Sequence, residues 1–134
     1  MIFKRQASDV WRLFLIVTSQ LTFQKLIVWQ KGIFLTKKIY LVTKNFPREE
    51  IFGLTDQLKR SSVSIPSNIS EGYGRNSRSD YKRFLSIALG SVYELETQIV
   101  ISKELCFISE DDFTELIALA IEIDRMLSAM IRKL

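Results

Sequence analysis

From residue 81 to residue 102 the chain reads YKRFLSIALGSVYELETQIVIS, Tyr81 to Ser102. Tyr81, Phe84, Leu85, Ala88, Val92, Leu95, Ile99 and Ser102 recur there at steps of three and four. That spacing stacks side chains on one face of an α-helix. Asn76 and Ser77 stand before Ser79 and Asp80 as capping residues, so the stretch predicts a helix from that turn to Leu105.

Downstream, Ser109 and Asp112 resemble a capping box. Glu110, Asp111 and Asp112 set negative charge at the positive end of a helix dipole. Phe113, Leu116, Ala120, Ile123, Leu127, Met130 and Leu134 then form a strict seam, which Ile117, Leu119, Ile121, Met126 and Ile131 widen well beyond one face. The surplus suits either burial between subunits or deep burial within one chain.

Upstream, a helix from Leu54 towards Glu71 carries Leu54, Leu58, Ser61, Ile65 and Ile69 on one side. Its serines make it slim enough for a neighbouring backbone to come close. Pro66, inside the pattern, frees the carbonyl of Ser62 and bends the axis. Gly72 and Gly74, which tolerate positive φ, end it.

A further helix, Phe23 to Phe46, is stopped by Pro47. Leu26, Ile33 and Tyr40, joined by Ile27, Phe34 and Leu41, give its expected inner face. Lys25, Lys31, Lys37, Lys38 and Lys44 make it basic throughout and read first as a solvated face.

The expected fold is all-α, an antiparallel up-down four-helix bundle over residues 23–134, preceded by a poorly specified extension over 1–22 that holds at most a short helix. Within that extension Lys4 and Arg5 precede an apolar run from Val10 to Val17, which has no small-residue cleavage pattern after it and is too short to span a bilayer. No membrane association is expected.

A length of 134 residues suits one domain, and 47% hydrophobic against 25% charged residues is ordinary for a globular core. Cys106 has no partner for an intrachain disulfide, so the reading is a buried, inert thiol in a cytoplasmic protein. The chain has no histidine, which removes the commonest general base and the commonest imidazole metal ligand together. No catalytic residue, cofactor or metal is expected, and the chain does not read as an enzyme.

Asn68 with Glu71, and Glu94 with Gln98, share helix faces at steps of three and four. Without a histidine for Glu-x-x-His pairs they read as a structural polar network that fixes helix register rather than as a di-metal centre. Gly72-Tyr73-Gly74-Arg75 lacks the flanking pattern of a phosphate loop and reads as a turn. The main functional signal is electrostatic. Lys59, Arg60, Arg75, Arg78, Lys82 and Arg83 are expected to crowd the junction of the second and third helices, opposed by Glu71 and Asp80. Such a cluster suits nucleic-acid phosphates, with Tyr73 or Tyr81 to stack on a base, although Arg75 with Glu71 and Arg83 with Asp80 also fit internal pairing.

Three runs carry a family resemblance: Phe46-Pro47-Arg48-Glu49-Glu50 with Phe52-Gly53-Leu54-Thr55 and Gln57-Leu58, then Val63 to Arg75, then Phe84 to Gln98. In order and spacing they resemble the four-helix-bundle family of the 23S ribosomal RNA intervening-sequence protein, from Phe23 to about Leu134. Ser62 and Ser70 stand where that family usually has alanine, a change that preserves close packing. The resemblance implies long antiparallel helices and a ring-like homopentamer. It also implies kinship with the accessory protein of diversity-generating retroelements, which works with a reverse transcriptase and RNA. It brings no catalytic residues. The functional expectation is therefore a homo-oligomer that binds RNA backbone through its basic surface, or alternatively a scaffold or accessory factor for a nucleic-acid-processing protein, without RNA affinity of its own.

Overall fold

The computed structural model describes residues 9–10 and 22–134, so the expected extension, with its short helix, falls almost wholly outside the described residues. A 3₁₀ turn, Thr22–Lys25, leads into helix α1, Ile27–Thr43. A second 3₁₀ turn, Arg48–Glu50, opens the way to α2, Leu54–Tyr73, followed by α3, Arg78–Glu104, and α4, Glu110–Lys133. The four helices and the absence of strands among the described residues match the expected class. Short connections make sequential helices antiparallel neighbours, and α1 packs on both α2 and α4 to close the bundle.

The seams predicted for α2, α3 and α4 are the ones that pack. Leu58, Ile65 and Ile69 meet Leu85, Leu95 and Ile99, with Leu116, Ile123 and Leu127 completing a fully buried core. Both expected N-caps form: Ser77 Oγ accepts the Asp80 N–H at 3.0 Å and Ser109 Oγ accepts the Asp112 N–H at 3.1 Å. The α3 helix is long and apolar enough to cross a membrane by length and composition alone, and 44% of that window is buried inside the bundle.

The inner face of α1 differs from the expected one. Val28, Gly32, Leu35, Ile39 and Thr43 are buried, while Ile27, Ile33, Phe34, Tyr40 and Leu41 are exposed. This helix is apolar on more than one side, and the side turned inward is the one with Gly32. A Cβ at Gly32 would sit 3.4 Å from both Cβ and Cδ of Pro66, so the proline ring on α2 lies directly against the bare backbone of α1. Pro66 cannot donate to Ser62, as expected, and Thr36 Oγ1 lies 3.0 Å from that carbonyl and 2.9 Å from the carbonyl of Gly32.

The glycines at the end of α2 also act differently. None of the described glycines has positive φ, and Gly74 has φ −78°. Gly72 is needed for proximity, since a Cβ there would fall 2.6 Å from Cβ of Phe84 on α3. Positive φ appears instead at Cys106, φ 62°, after the C-cap of α3. There the Phe107 N–H reaches the Ser102 carbonyl and the Cys106 N–H reaches the Lys103 carbonyl, both at 2.9 Å, a Schellman closure made without glycine. Cys106 is exposed, contrary to the expected buried thiol, because a left-handed residue past a helix end points away from the core.

Three stability measurements follow from these contacts. Gly72→Ala should lower unfolding stability by about 1–3 kcal/mol through overpacking against Phe84. Gly74→Ala should change it by less than about 0.5 kcal/mol, its new Cβ meeting nothing nearer than 3.6 Å. Cys106→Gly should raise it by roughly 0.5–1 kcal/mol by relieving the left-handed backbone. Urea titrations of the three variants read all three effects.

Candidate functional site

The turn between α2 and α3 brings the last residues of one helix against the first turns of the next. Arg75 and Arg83 lie with their guanidinium carbons 4.8 and 4.5 Å from the ring centroid of Phe84. Phe84 is buried beneath them, so the apolar ring serves as a platform for two cations. Arg75 Nη2 donates to Glu71 Oε1 at 3.0 Å, and Arg83 Nε stands 3.7 Å from Asp80 Oδ1. Both internal pairings weighed from the sequence are therefore present. They are exposed and contribute little stability.

Arg78 and Lys82 have no ion-pair partner among the described residues, and both are exposed. Tyr73 and Tyr81 meet edge to face beside them, centroids 6.1 Å apart at 88°. Burial, and then neighbouring Tyr73, pushes the Tyr81 hydroxyl above its ordinary value, so it stays protonated and able to donate. Arg75, Arg78, Lys82 and Arg83 thus all lie at the end of the bundle where α2 passes into α3, as do Tyr73 and Tyr81.

Lys59 and Arg60 do not belong to it. They lie near the opposite end of α2, and at about 1.5 Å per helical residue Lys59 is roughly 20 Å from Tyr73 along the axis. Lys59 Nζ stands 4.9 Å from the Tyr40 ring centroid, and Arg60 Nη1 is 3.7 Å from Asp56 Oδ2. The expected six-residue cluster is two separate basic areas. The α1 lysines divide similarly: Lys31 pairs with Glu122 at 2.7 Å and Lys38 pairs with Glu115, tying α1 to α4. Lys25, Lys37 and Lys44 are exposed without an ion partner among the described residues.

Of the four residues expected to form a polar network, Glu94 and Gln98 bond each other, Asn68 belongs to a separate group and Glu71 joins neither. Buried Gln98 accepts from Ser61 Oγ at 2.7 Å through Oε1 and donates to Glu94 Oε1 at 3.2 Å. Asn68 Nδ2 donates to Ser64 Oγ at 2.9 Å, and Ser64 Oγ meets Ser91 Oγ at 2.8 Å across the α2–α3 seam. Glu71, in the last turn of α2, is exposed and engaged with Arg75 instead, four residues on. Ser91 was not singled out in the sequence, and Ser64 only as one of the serines that make α2 slim. The signal was there in Ser64, one helical turn before Asn68.

A second polar group, on the outer side of α3 and α4, gave no sequence signal because its members are far apart in the chain. Tyr93 Oη donates to Asp124 Oδ1 at 3.1 Å, and Ser128 Oγ donates to the same oxygen at 2.9 Å. Glu96 Oε1 nearby is sealed from solvent without a hydrogen-bond partner. Burial, and then the charge of Asp124, raises the Glu96 carboxyl above its usual value. Among the described residues no three potential ligands gather closely enough to hold a metal ion.

A family model described as the 23S rRNA-intervening sequence protein matches residues 24–129 of this chain. A solved structure from Bacteroides thetaiotaomicron, described as a protein with unknown function from the S23 ribosomal protein family, is similar to it with a TM-score of 0.71 and 26% identity. The alignment covers 78% of this chain and 98% of that one. No curated protein matches the chain.

The buried Ser61–Gln98 bond generates a test of the network. Ser61→Ala and Gln98→Leu should each cost about 1–2 kcal/mol, and the double variant should cost about 1 kcal/mol less than their sum, since neither polar partner is then stranded. Thermal or urea unfolding of the four chains closes that cycle.

Proposed function

This chain belongs to the 23S rRNA-intervening sequence protein family, and from that premise we propose that it is a non-catalytic, RNA-associated bundle protein of the cytoplasm. The α2–α3 end holds RNA by its phosphates. One observation carries the reading: Arg75 and Arg83 stack on Phe84 at this end, and Arg78 and Lys82, in the first turns of α3, have no carboxylate partner among the described residues. Guanidinium and ammonium groups neutralise phosphates whatever the base, so the binding is of low sequence specificity. Tyr73, 40% exposed at the edge of the patch, offers a face on which an unpaired base can stack.

The functional unit is the bundle over residues 23–134, acting as a homo-oligomer. The family resemblance implies a ring-like homopentamer, and the apolar stripe Ile27, Phe34 and Leu41 on the outside of α1 supports burial between copies. A ring repeats the basic end around an axis, so several weak phosphate contacts act together on one RNA.

A scaffold for a nucleic-acid-processing protein is the second reading, and a specific residue favours it. Phe52 is 94% exposed beside exposed Ile51 in the connection before α2, the kind of aromatic anchor that a protein partner takes into a pocket.

Fluorescence anisotropy with a single-stranded RNA across a salt series separates the two readings. The wild type should bind with strong salt dependence. The double variant Arg78→Glu, Lys82→Glu should bind at least tenfold more weakly at low salt, with a log–log salt slope shallower by about 1.4, at roughly 0.7 per lost phosphate contact. Undiminished affinity in that variant rejects this surface. No binding by a properly assembled wild-type oligomer transfers the function to the scaffold reading.

A further inference from the structure

The outer side of α1 and α2 carries an open groove in two sections of about 380 and 410 Å³ that share Val63. Trp29 and Ser70 line the first section, and Tyr40 and Lys59 line the second. Both sections thus have aromatic surface. The Phe23 ring meets Trp29 edge to face, centroids 5.5 Å apart at 72°, which holds the indole in place, and Tyr40 is 43% exposed.

The Tyr40 end of the groove is positively charged. Lys59 Nζ lies 4.9 Å from the Tyr40 ring centroid, which sets a cation beside the aromatic surface. Lys37 and Lys44, exposed on α1 to either side of Tyr40, stand on its flank away from Thr36, the residue that faces α2. None of these three lysines has an ion partner among the described residues. Asp56 also lines this section, but Arg60 Nη1 stands 3.7 Å from its Oδ2, so the two offset each other and the lysines set the net charge. At its other end the groove runs towards the proposed RNA site. Tyr73 follows Lys59 by fourteen residues, close to four full helical turns, so both occupy one side of α2, about 20 Å apart.

We infer that the α1/α2 groove is a second RNA-binding surface, which takes a single strand running from Lys59 to Tyr73 with its bases against Tyr40 and Trp29. The inference rests on the RNA reading of the α2–α3 end and extends it along α2. A single strand satisfies both features of the groove: its phosphates meet the lysines, and its unpaired bases cover the aromatic surface. A duplex satisfies only the first, because its base faces are stacked on one another. At about 3.4 Å per stacked nucleotide, roughly six nucleotides span the distance from Lys59 to Tyr73. The two basic areas are too far apart to act on one phosphate, and the groove lets them act on one strand.

The test uses the full chain with Trp11→Phe, so that emission reports Trp29 alone, and oligouridylates of about three and about twelve nucleotides. The longer strand should quench Trp29 and bind roughly fivefold or more tightly than the shorter one, the effect expected of even one stacked base. A duplex of the longer length should leave the emission unchanged. Val63→Glu, at an exposed position shared by both sections, should remove the quenching and the length preference. Thr97→Glu puts the same charge on α3, across the bundle from α1, and should keep both. Circular dichroism checks each fold, and Tyr40→Ala replaces Val63→Glu if that variant fails to fold. Unchanged Trp29 emission at saturation with the longer strand, equal quenching by the duplex, or a length preference that survives Val63→Glu overturns the groove. In each of these cases Arg78→Glu, Lys82→Glu still reports separately on the α2–α3 end. A wild type that binds neither strand overturns the RNA reading itself.

Discussion

The bundle depends on how closely α2 can approach its neighbours. At its middle, the Pro66 ring rests on α1 where Gly32 has no side chain, and at its end Gly72 lets Phe84 press against the α2 backbone. Before the proline, Ser61 and Ser62 are buried where larger residues would hold the helices apart. Such proximity has a polar cost, because a proline in a helix leaves a carbonyl without its donor. Thr36 meets that cost from the facing helix, so one crossing joins a steric requirement to a hydrogen-bonding one. Substituting any one of Gly32, Thr36 or Pro66 therefore disturbs the environment of the other two.

The sequence was most legible where one three-four seam ran the length of a helix. The seams of α3 and α4 predicted the buried residues although further apolar positions widen the α4 face, and Ser77 and Ser109, three residues before Asp80 and Asp112, marked the helix starts by their chemistry alone. The α1 helix was misread because Ile27, Phe34 and Leu41 repeat as regularly as Val28, Leu35 and Ile39. Periodicity cannot choose between two apolar stripes one residue apart. The choice was made by Gly32, whose meaning depends on Pro66, thirty-four positions away in the sequence. Cys106 was misplaced for a related reason: its backbone conformation, rather than its polarity, sets its exposure.

The candidate site was legible in part. Arg75, Arg78, Lys82 and Arg83 are near one another in sequence and in space because a tight turn connects their helices. Lys59 and Arg60 are also close in sequence, but a straight helix turns sequence separation into distance along its axis and carries them to the other end. Glu71 shows how a correct spacing can still miss a network, since in the last turn of α2 it is exposed and takes Arg75 as its partner. The Glu96–Asp124 group could not be found by spacing, as its members come from different helices and gain meaning only from burial.

The stacking of Arg75 and Arg83 on Phe84 has a thermodynamic side. An arginine free in solvent gives up side-chain freedom worth roughly 2 kcal/mol when a ligand fixes it. Arg75 and Arg83 have already been ordered by the ring and by Glu71 and Asp80, so that loss falls on folding rather than on recognition. Arg78 and Lys82, without such restraint, keep their rotamers. Under the proposed function, the cationic end of this bundle combines a fixed pair, which would set where a phosphate sits, with a mobile pair that would adapt to the shape of the RNA.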